Sequence, residues 1–268
     1  MRLTIVALAL AVALPARAGV VLEYEDADHK PTRVELEGKK LRSSSEGDAP
    51  GRSTIFDGEK RVFYALDDRE KSYRRLDEAS ASALGHGLQD AMEKAKARMT
   101  PEQRAQFEAA MAKAQRSPSA GATPKEHGFS FERVPGRQKV AGFDCDNYRV
   151  LRDGATENEA CFVPWEAGVL KKDDFVALTE MGHFFEKTLA AMSAGGGPGG
   201  AAGRDDWITR FVETAPGFPV VMVRLDKEGK RTHEMRLVKL ERTSLAADRF
   251  VPPADYREKP AGLPGGNR

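Results

Sequence analysis

Between Val20 and Leu76 the chain offers six short alternating segments, each ended by a brief run of turn formers. None leaves room for a helical crossover before the next begins, so neighbours are constrained to run antiparallel. They are Val20 to Asp26, Thr32 to Glu37, Lys40 to Ser45, Ser53 to Phe56, Arg61 to Leu66 and Ser72 to Leu76, with Gly38, Asp57-Gly58 and Asp67-Asp68 in the turns. After an interruption the pattern resumes in Phe129 to Val134 and Gln138 to Val140, a hairpin around Arg152-Asp153-Gly154, Val220 to Asp226, and Arg231 to Ser244, adding about five strands. About eleven antiparallel strands curl or close instead of staying flat. The predicted class is mainly β with α insertions: a curved antiparallel sheet, a half-barrel, covered by helices.

The interruptions are helical. From Ala79 to Ala114, Leu84, Leu88, Met92, Ala95 and Met99 recur at steps of three and four, followed by Phe107, Met111 and Ala114. Thr100, Pro101 and Gln103 form a capping box with proline at the first helical position, so one helix ends near Met99 and another begins. A second insertion starts at Asp173 or Asp174 and carries Leu178, Met181, Phe185, Leu189 and Met192 on one face with Phe184 alongside. It ends in the glycine-rich run Gly195 to Gly203, which no strand precedes and no Gly-Lys-Ser/Thr follows, so it reads as a linker and not a phosphate loop. A short helix near Asp206 to Val212, with Trp207, Ile208 and Phe211 inward, returns the chain to the sheet. Ser117 to Lys125 and Lys259 to Arg268 lack periodicity and read as linker and tail. The organisation expected is a single domain over residues 19–258, with insertions at about 78–116 and 173–213 and a tail at 259–268.

The two cysteines fall on the hairpin. A three-residue loop at Arg152-Asp153-Gly154, with Gly154 left-handed, sets Cys145 opposite Cys161 and Arg149 opposite Glu157, a cross-strand disulfide beside an ion pair. The spacing lacks the CxxC pattern and the histidines of a redox or metal pair, which leaves the structural staple as the preferred reading and a redox-active pair as the alternative.

Residues 1–18 read as a cleavable secretory signal: Arg2, an apolar run from Leu3 to Leu14, then Ala16-Arg17-Ala18 before the expected new N-terminus Gly19. That run is too short to span a bilayer of about 30 Å, and neither cysteine adjoins the cleavage site for lipid attachment. The expected address is the periplasm, an oxidising compartment, with no stable membrane insertion. Without Arg2 and Arg17, the 42 basic and 41 acidic residues become 40 and 41. Their interspersion excludes the basic stripe of a nucleic-acid binder. With 40% hydrophobic residues, a substantial core is within reach.

No reaction is declared. His29, His86, His127, His183 and His233 show neither i, i+4 pairing nor HExxH, and no G-x-S-x-G marks a nucleophile elbow. No catalytic residue, metal site or cofactor is expected. Met92, Met99, Phe107, Met111, Met181, Phe184, Phe185 and Met192 admit two readings: packing of helical stripes against the sheet, and an adaptable surface for acyl chains, since thioethers repack around irregular apolar ligands. Trp165 and Trp207 flank the second insertion as helix anchors or as gates, with anchoring favoured.

Five stretches resemble an uncharacterised bacterial envelope family, a domain of unknown function whose fold is similar to the lipoprotein carriers LolA and LolB: Ser53 to Tyr64, Met99 to Ala105, Val140 to Tyr148, Cys161 to Trp165, and Asp248 to Pro253. The resemblance implies a half-barrel cradling a hydrophobic cavity under a helical lid. Its expected partner is a lipid or lipoprotein acyl chain, with no single binding residue carried over. The expectation is thus a non-enzymatic envelope protein binding an apolar ligand between half-barrel and lid. An interaction module with a self-filled cavity is the alternative, and an unrecognised hydrolase ranks last.

Overall fold

The computed structural model describes residues 19–47, 50–116, 128–194 and 207–260, without the side chains of 88, 111–116, 189, 191–194 and 207. The expected signal, both linker stretches and most of the tail lie outside the described residues. Six hairpin-linked strands open the fold: β1 (Gly19–Asp26), β2 (Pro31–Glu37), β3 (Lys40–Ser45), β4 (Arg52–Asp57), β5 (Val62–Asp67) and β6 (Ser72–Leu76). Helices α1 (Glu78–Ala97) and α2 (Pro101–Arg116) follow, then β7 (Phe129–Val140), β8 (Phe143–Arg152) and β9 (Ala155–Pro164). Helices α3 (Val176–Ala194) and α4 (Trp207–Thr214) precede β10 (Gly217–Leu225), β11 (Arg231–Thr243) and a short β12 (Arg257–Lys259).

The twelve strands form one sheet in the order β12-β6-β5-β4-β3-β2-β1-β11-β10-β9-β8-β7. Every pairing is antiparallel except β12 with β6. The sheet is open, with β12 and β7 at its edges. Flat, twelve strands about 4.8 Å apart would spread over roughly 50 Å. Yet Phe56 of β4, Leu237 of β11 and Cys145 of β8 belong to one buried cluster. The sheet therefore curves around a common centre, as expected of the half-barrel.

Strand alternation sorts side chains to two faces. On β9, Cys161 and Val163 face the concave cluster, while Ala160 and Phe162 face outward under α4. There Phe211 meets Phe131 at 5.6 Å and Phe129 at 5.7 Å. On β4, Phe56 points inward and Ile55 outward, where Leu66 and Phe250 of the C-terminal segment cover it. That segment is clamped by Glu35, which is 1% exposed. Arg249 donates to both its oxygens, from Nη2 at 2.8 Å and Nε at 3.1 Å, and Arg33 Nε donates at 2.8 Å. Burial raises the Glu35 carboxyl, but the two guanidinium groups outweigh it and hold it below the usual glutamate range.

The disulfide joins Cys145 to Cys161 with Cα atoms 5.5 Å apart, within the ordinary range. The register around it differs from the expected one. The turn is two residues, Asp153 and Gly154, with φ of 53° and 83°, and the ladder slips between Val150 and Leu151. Cys161 therefore stands opposite Asn147, and Arg149 opposite Glu159 instead of Glu157. The bridge runs diagonally, and Glu159 takes its ion pair from Arg231 at 2.7 Å. Two further differences are local. Phe129–Val140 is one strand with an irregularity between Arg133 and Arg137, and β12 holds Lys259, the first residue assigned to the tail.

Two outcomes follow for stability. Replacing both cysteines by alanine is expected to lower the unfolding free energy by about 3 kcal/mol in denaturant titration, since the bridge closes a 16-residue separation. Glu35→Gln is expected to flatten the acid limb of the stability curve. A carboxyl lowered on folding contributes fully above its unfolded pKa, about 4.3, and loses that contribution as pH falls through its folded value.

Candidate functional site

The concave face of the sheet is occupied by α3. A lead-in turn, Lys172–Phe175, seats Phe175 against Trp165 at 5.6 Å, and Trp165 Nε1 donates to the Ala215 carbonyl at 2.8 Å. Trp165 therefore anchors this insertion to the sheet, whereas the Trp207 side chain lies outside the described residues. Further along α3, Phe184 packs on Phe56 at 5.6 Å and Phe185 on Phe63 at 5.1 Å, with 5.4 Å between the two α3 rings. Tilted and edge-on ring pairs of this kind add to plain area burial. Of the apolar residues singled out on this helix, Phe184, at 7% exposure, is buried, and Met181 and Phe185 are half-buried against the same cluster.

Polar ties add to this apolar seating. Asp174, in the lead-in turn, receives Arg242 of β11 at both oxygens, at 2.7 and 3.2 Å, and the Lys171 backbone N–H at 2.8 Å. Burial raises its carboxyl and these donors outweigh burial, leaving it below the usual aspartate range. Lys39, from the β2–β3 turn, reaches Glu180 at 2.6 Å. The Thr209 hydroxyl of α4 donates to the Thr179 carbonyl at 3.2 Å. The start expected at Asp173 or Asp174 is thus shifted: Asp174 caps the preceding turn, and α3 proper begins at Val176.

Helix α1 rests against α3. Asp77 and Ser80 cap it reciprocally, and its fully buried positions one turn apart, Ala81 and Gly85, are small. The break expected after Met99 is present: Thr100 and Gln103 exchange backbone-to-side-chain hydrogen bonds at 3.0 and 3.3 Å. Beyond it, residues 101–110 of α2 are exposed apart from a half-buried Phe107. Of the eight residues singled out from periodicity, the six with described side chains fall into two groups. Met181, Phe184 and Phe185 line the concave face. Met92, Met99 and Phe107 are half-buried on α1, the elbow and α2, and none belongs to a core cluster. The side chains of Met111 and Met192 lie outside the described residues.

Beside α3, between it, the β4–β5 turn and the start of α1, lies a cleft of about 40 Å³. Phe56, Phe184 and Thr188 form its buried part; Gly58, Arg61, Glu78, Glu180, His183 and Lys187 complete the lining. One water needs roughly 10–15 Å³ of such space, so the cleft admits a few waters or a carboxylate-sized group while α3 stays seated. Gly58 keeps the turn low: a Cβ there would stand 2.9 Å from the Lys39 carbonyl oxygen and 3.1 Å from the Phe56 ring. Arg61 holds φ 52°, the left-handed region that glycine usually fills, at a cost of about 1–2 kcal/mol for a residue with a Cβ. The strained arginine was invisible to pattern reading, because only the fold brings this turn to α3. Among the described residues, no three His, Cys, Asp or Glu are grouped to hold a metal ion, and no helix is long and apolar enough to cross a membrane.

These features define an open antiparallel half-barrel plugged by an inserted helix. The chain belongs to the family described as a domain of unknown function, DUF4412, which it matches over residues 90–256. No curated protein matches its sequence. Among solved structures it is similar to an uncharacterized conserved protein from Thermus thermophilus, with 9% identity, 91% of this chain and 90% of the other covered, and a TM-score of 0.42. It is also similar to the MucA/MucB complex of Pseudomonas aeruginosa, with 11% identity, 89% and 56% covered, and a TM-score of 0.34. A putative outer membrane lipoprotein-sorting protein domain from Vibrio parahaemolyticus gives 8% identity, 88% and 90% covered, and a TM-score of 0.28.

Asp174→Asn is expected to loosen the start of α3 at neutral pH, with amide exchange over 176–182 rising several-fold while β1 and β11 stay protected. In the wild type the Asp174–Arg242 tie contributes fully above the ordinary aspartate pKa. It is lost only as pH falls through the lowered folded value, so the variant at neutral pH should match the wild type under acid conditions.

Proposed function

We propose that this protein is an exported, non-enzymatic binding protein of the periplasm that takes a lipid or acyl chain on the concave face of its half-barrel, with α3 as a displaceable lid. The observation that carries the reading is the way α3 is seated. Its phenylalanines supply the apolar contacts that a hydrocarbon chain offers equally well, and the polar ties at Lys172, Asp174, Thr179 and Glu180 lie at its lead-in turn and first half, ahead of Phe184 and Phe185. A chain that took the place of Phe184 and Phe185 would meet Phe56 and Phe63. The expected signal sequence and the buried disulfide support an address in an oxidising compartment.

A second reading, an envelope interaction module, is favoured by α2. Its first ten residues are largely exposed, and half-buried Met99 and Phe107 at the elbow pack into none of the core clusters.

Native mass spectrometry of the mature protein, purified without detergent and followed by organic extraction, is expected to find a stoichiometric lipid or fatty acid. An apo mass unmoved by added lipids overturns the carrier reading and leaves the interaction module. Phe184→Ala, which removes a core ring, is expected to cost about 3–4 kcal/mol of stability. Part of that loss should return on addition of an apolar chain that fills the space, measured as a rise in melting temperature.

A further inference from the structure

The cleft beside α3 has a chemistry of its own, distinct from the apolar face it opens from. Its buried part is the edge of the Phe56–Phe184 ring pair with the Thr188 side chain. Its mouth carries two cations, Arg61 from the β4–β5 turn and Lys187 from α3, and among the described residues neither has an ion-pair partner. The surrounding cations are committed elsewhere: Lys39 to Glu180, Lys40 to Glu59, and Lys60 to Asp57. Of the two carboxylates in the lining, Glu180 is therefore already paired, which leaves Glu78 against Arg61 and Lys187. The mouth thus has a surplus of one positive charge directly above aromatic surface.

We propose that this cleft seats the head of a singly charged anionic amphiphile, a long-chain carboxylate, with Arg61 and Lys187 on the carboxylate and the first methylenes on Phe56 and Phe184. The proposal rests on the apolar-ligand reading above and names the ligand class for that site. A surplus of one charge selects a monoanion. The volume, about 40 Å³, suits a carboxylate and excludes the remainder of the chain until α3 moves. The head would dock first and the tail would follow as Phe184 lifts from Phe56. Lys187 rides on α3 while Arg61 is fixed on the sheet, so the same anion bridges lid and frame at the edge where the lid opens.

Isothermal titration of the delipidated mature protein with dodecanoate, dodecanol and acetate tests this. Dodecanoate is expected to bind at least tenfold more tightly than dodecanol, and acetate not to bind measurably. Arg61→Gly relieves the left-handed strain and so keeps the fold; with Lys187→Gln it should weaken dodecanoate roughly tenfold, the loss of a charged hydrogen bond, and leave dodecanol unchanged. Glu78→Gln should tighten dodecanoate several-fold. Equal affinity for dodecanoate and dodecanol overturns the head seat and leaves the apolar site standing. Acetate binding as tightly as dodecanoate overturns the amphiphile in favour of a free anion. Binding of neither long-chain ligand overturns both this proposal and the reading it rests on.

Discussion

An open, strongly curved sheet cannot bury its own concave face, and the seating of α3 in that concavity answers this constraint. Leu36, Leu41, Phe56, Leu237 and Phe218 come from the central half of the sheet, from β4 across to β10, and a helix fills the space they surround. Without α3 the inner surface would be a trough of apolar side chains in water, at about 25 cal/mol for every Å² exposed. Whatever occupies the trough must be apolar and roughly cylindrical. In this structure the occupant is the chain's own helix, delivered by an insertion between β9 and β10.

The outer face is closed by different means. Over β7 to β9 it is aromatic, Phe211 of α4 sitting among Phe129, Phe131 and Phe162. Over β3 to β6 the C-terminal segment covers it, held by Phe250 and by the Glu35–Arg249 pair. A buried carboxylate is tolerable there because two arginines satisfy it, and removing both would strand a charge inside the protein. The free edge at β7 is defended by its sequence: Pro135-Gly136 interrupts the ladder, and Arg133 and Arg137 both turn onto Asp146, at 2.8 and 3.0 Å. Such bulges and charges discourage edge-to-edge pairing.

The strands were legible because their information is local. Period-two alternation and turn residues located β1 to β6 to within a residue or so, and the Thr100–Gln103 capping box fixed the α1–α2 break. What failed to read depended on distance. The three residues of β12 pair with β6 from nearly two hundred positions away and carry no alternation to notice. The hairpin register slipped because a bulge at Val150 and a two-residue turn are compatible with almost the same residues as a three-residue loop. Periodicity also found apolar stripes on α1 and α2 without revealing that Phe107 of α2 joins none of the core clusters. The cleft was hidden for the same reason: Arg61 and Lys187 are ordinary surface cations until the fold sets them beside one another.

The seam between β1 and β11 has a consequence for the life of the chain before it folds. Gly19 pairs with Thr243, so the hairpins of each half of the sheet close locally, but the halves join only when both ends of the domain are present. Contacts of such long sequence separation are slow to form. Until β11 arrives, β1 has only β2 beside it, and the inner trough is half built. A chain arranged this way gains its inner core late, because neither half of the trough closes until β11 lies down against β1.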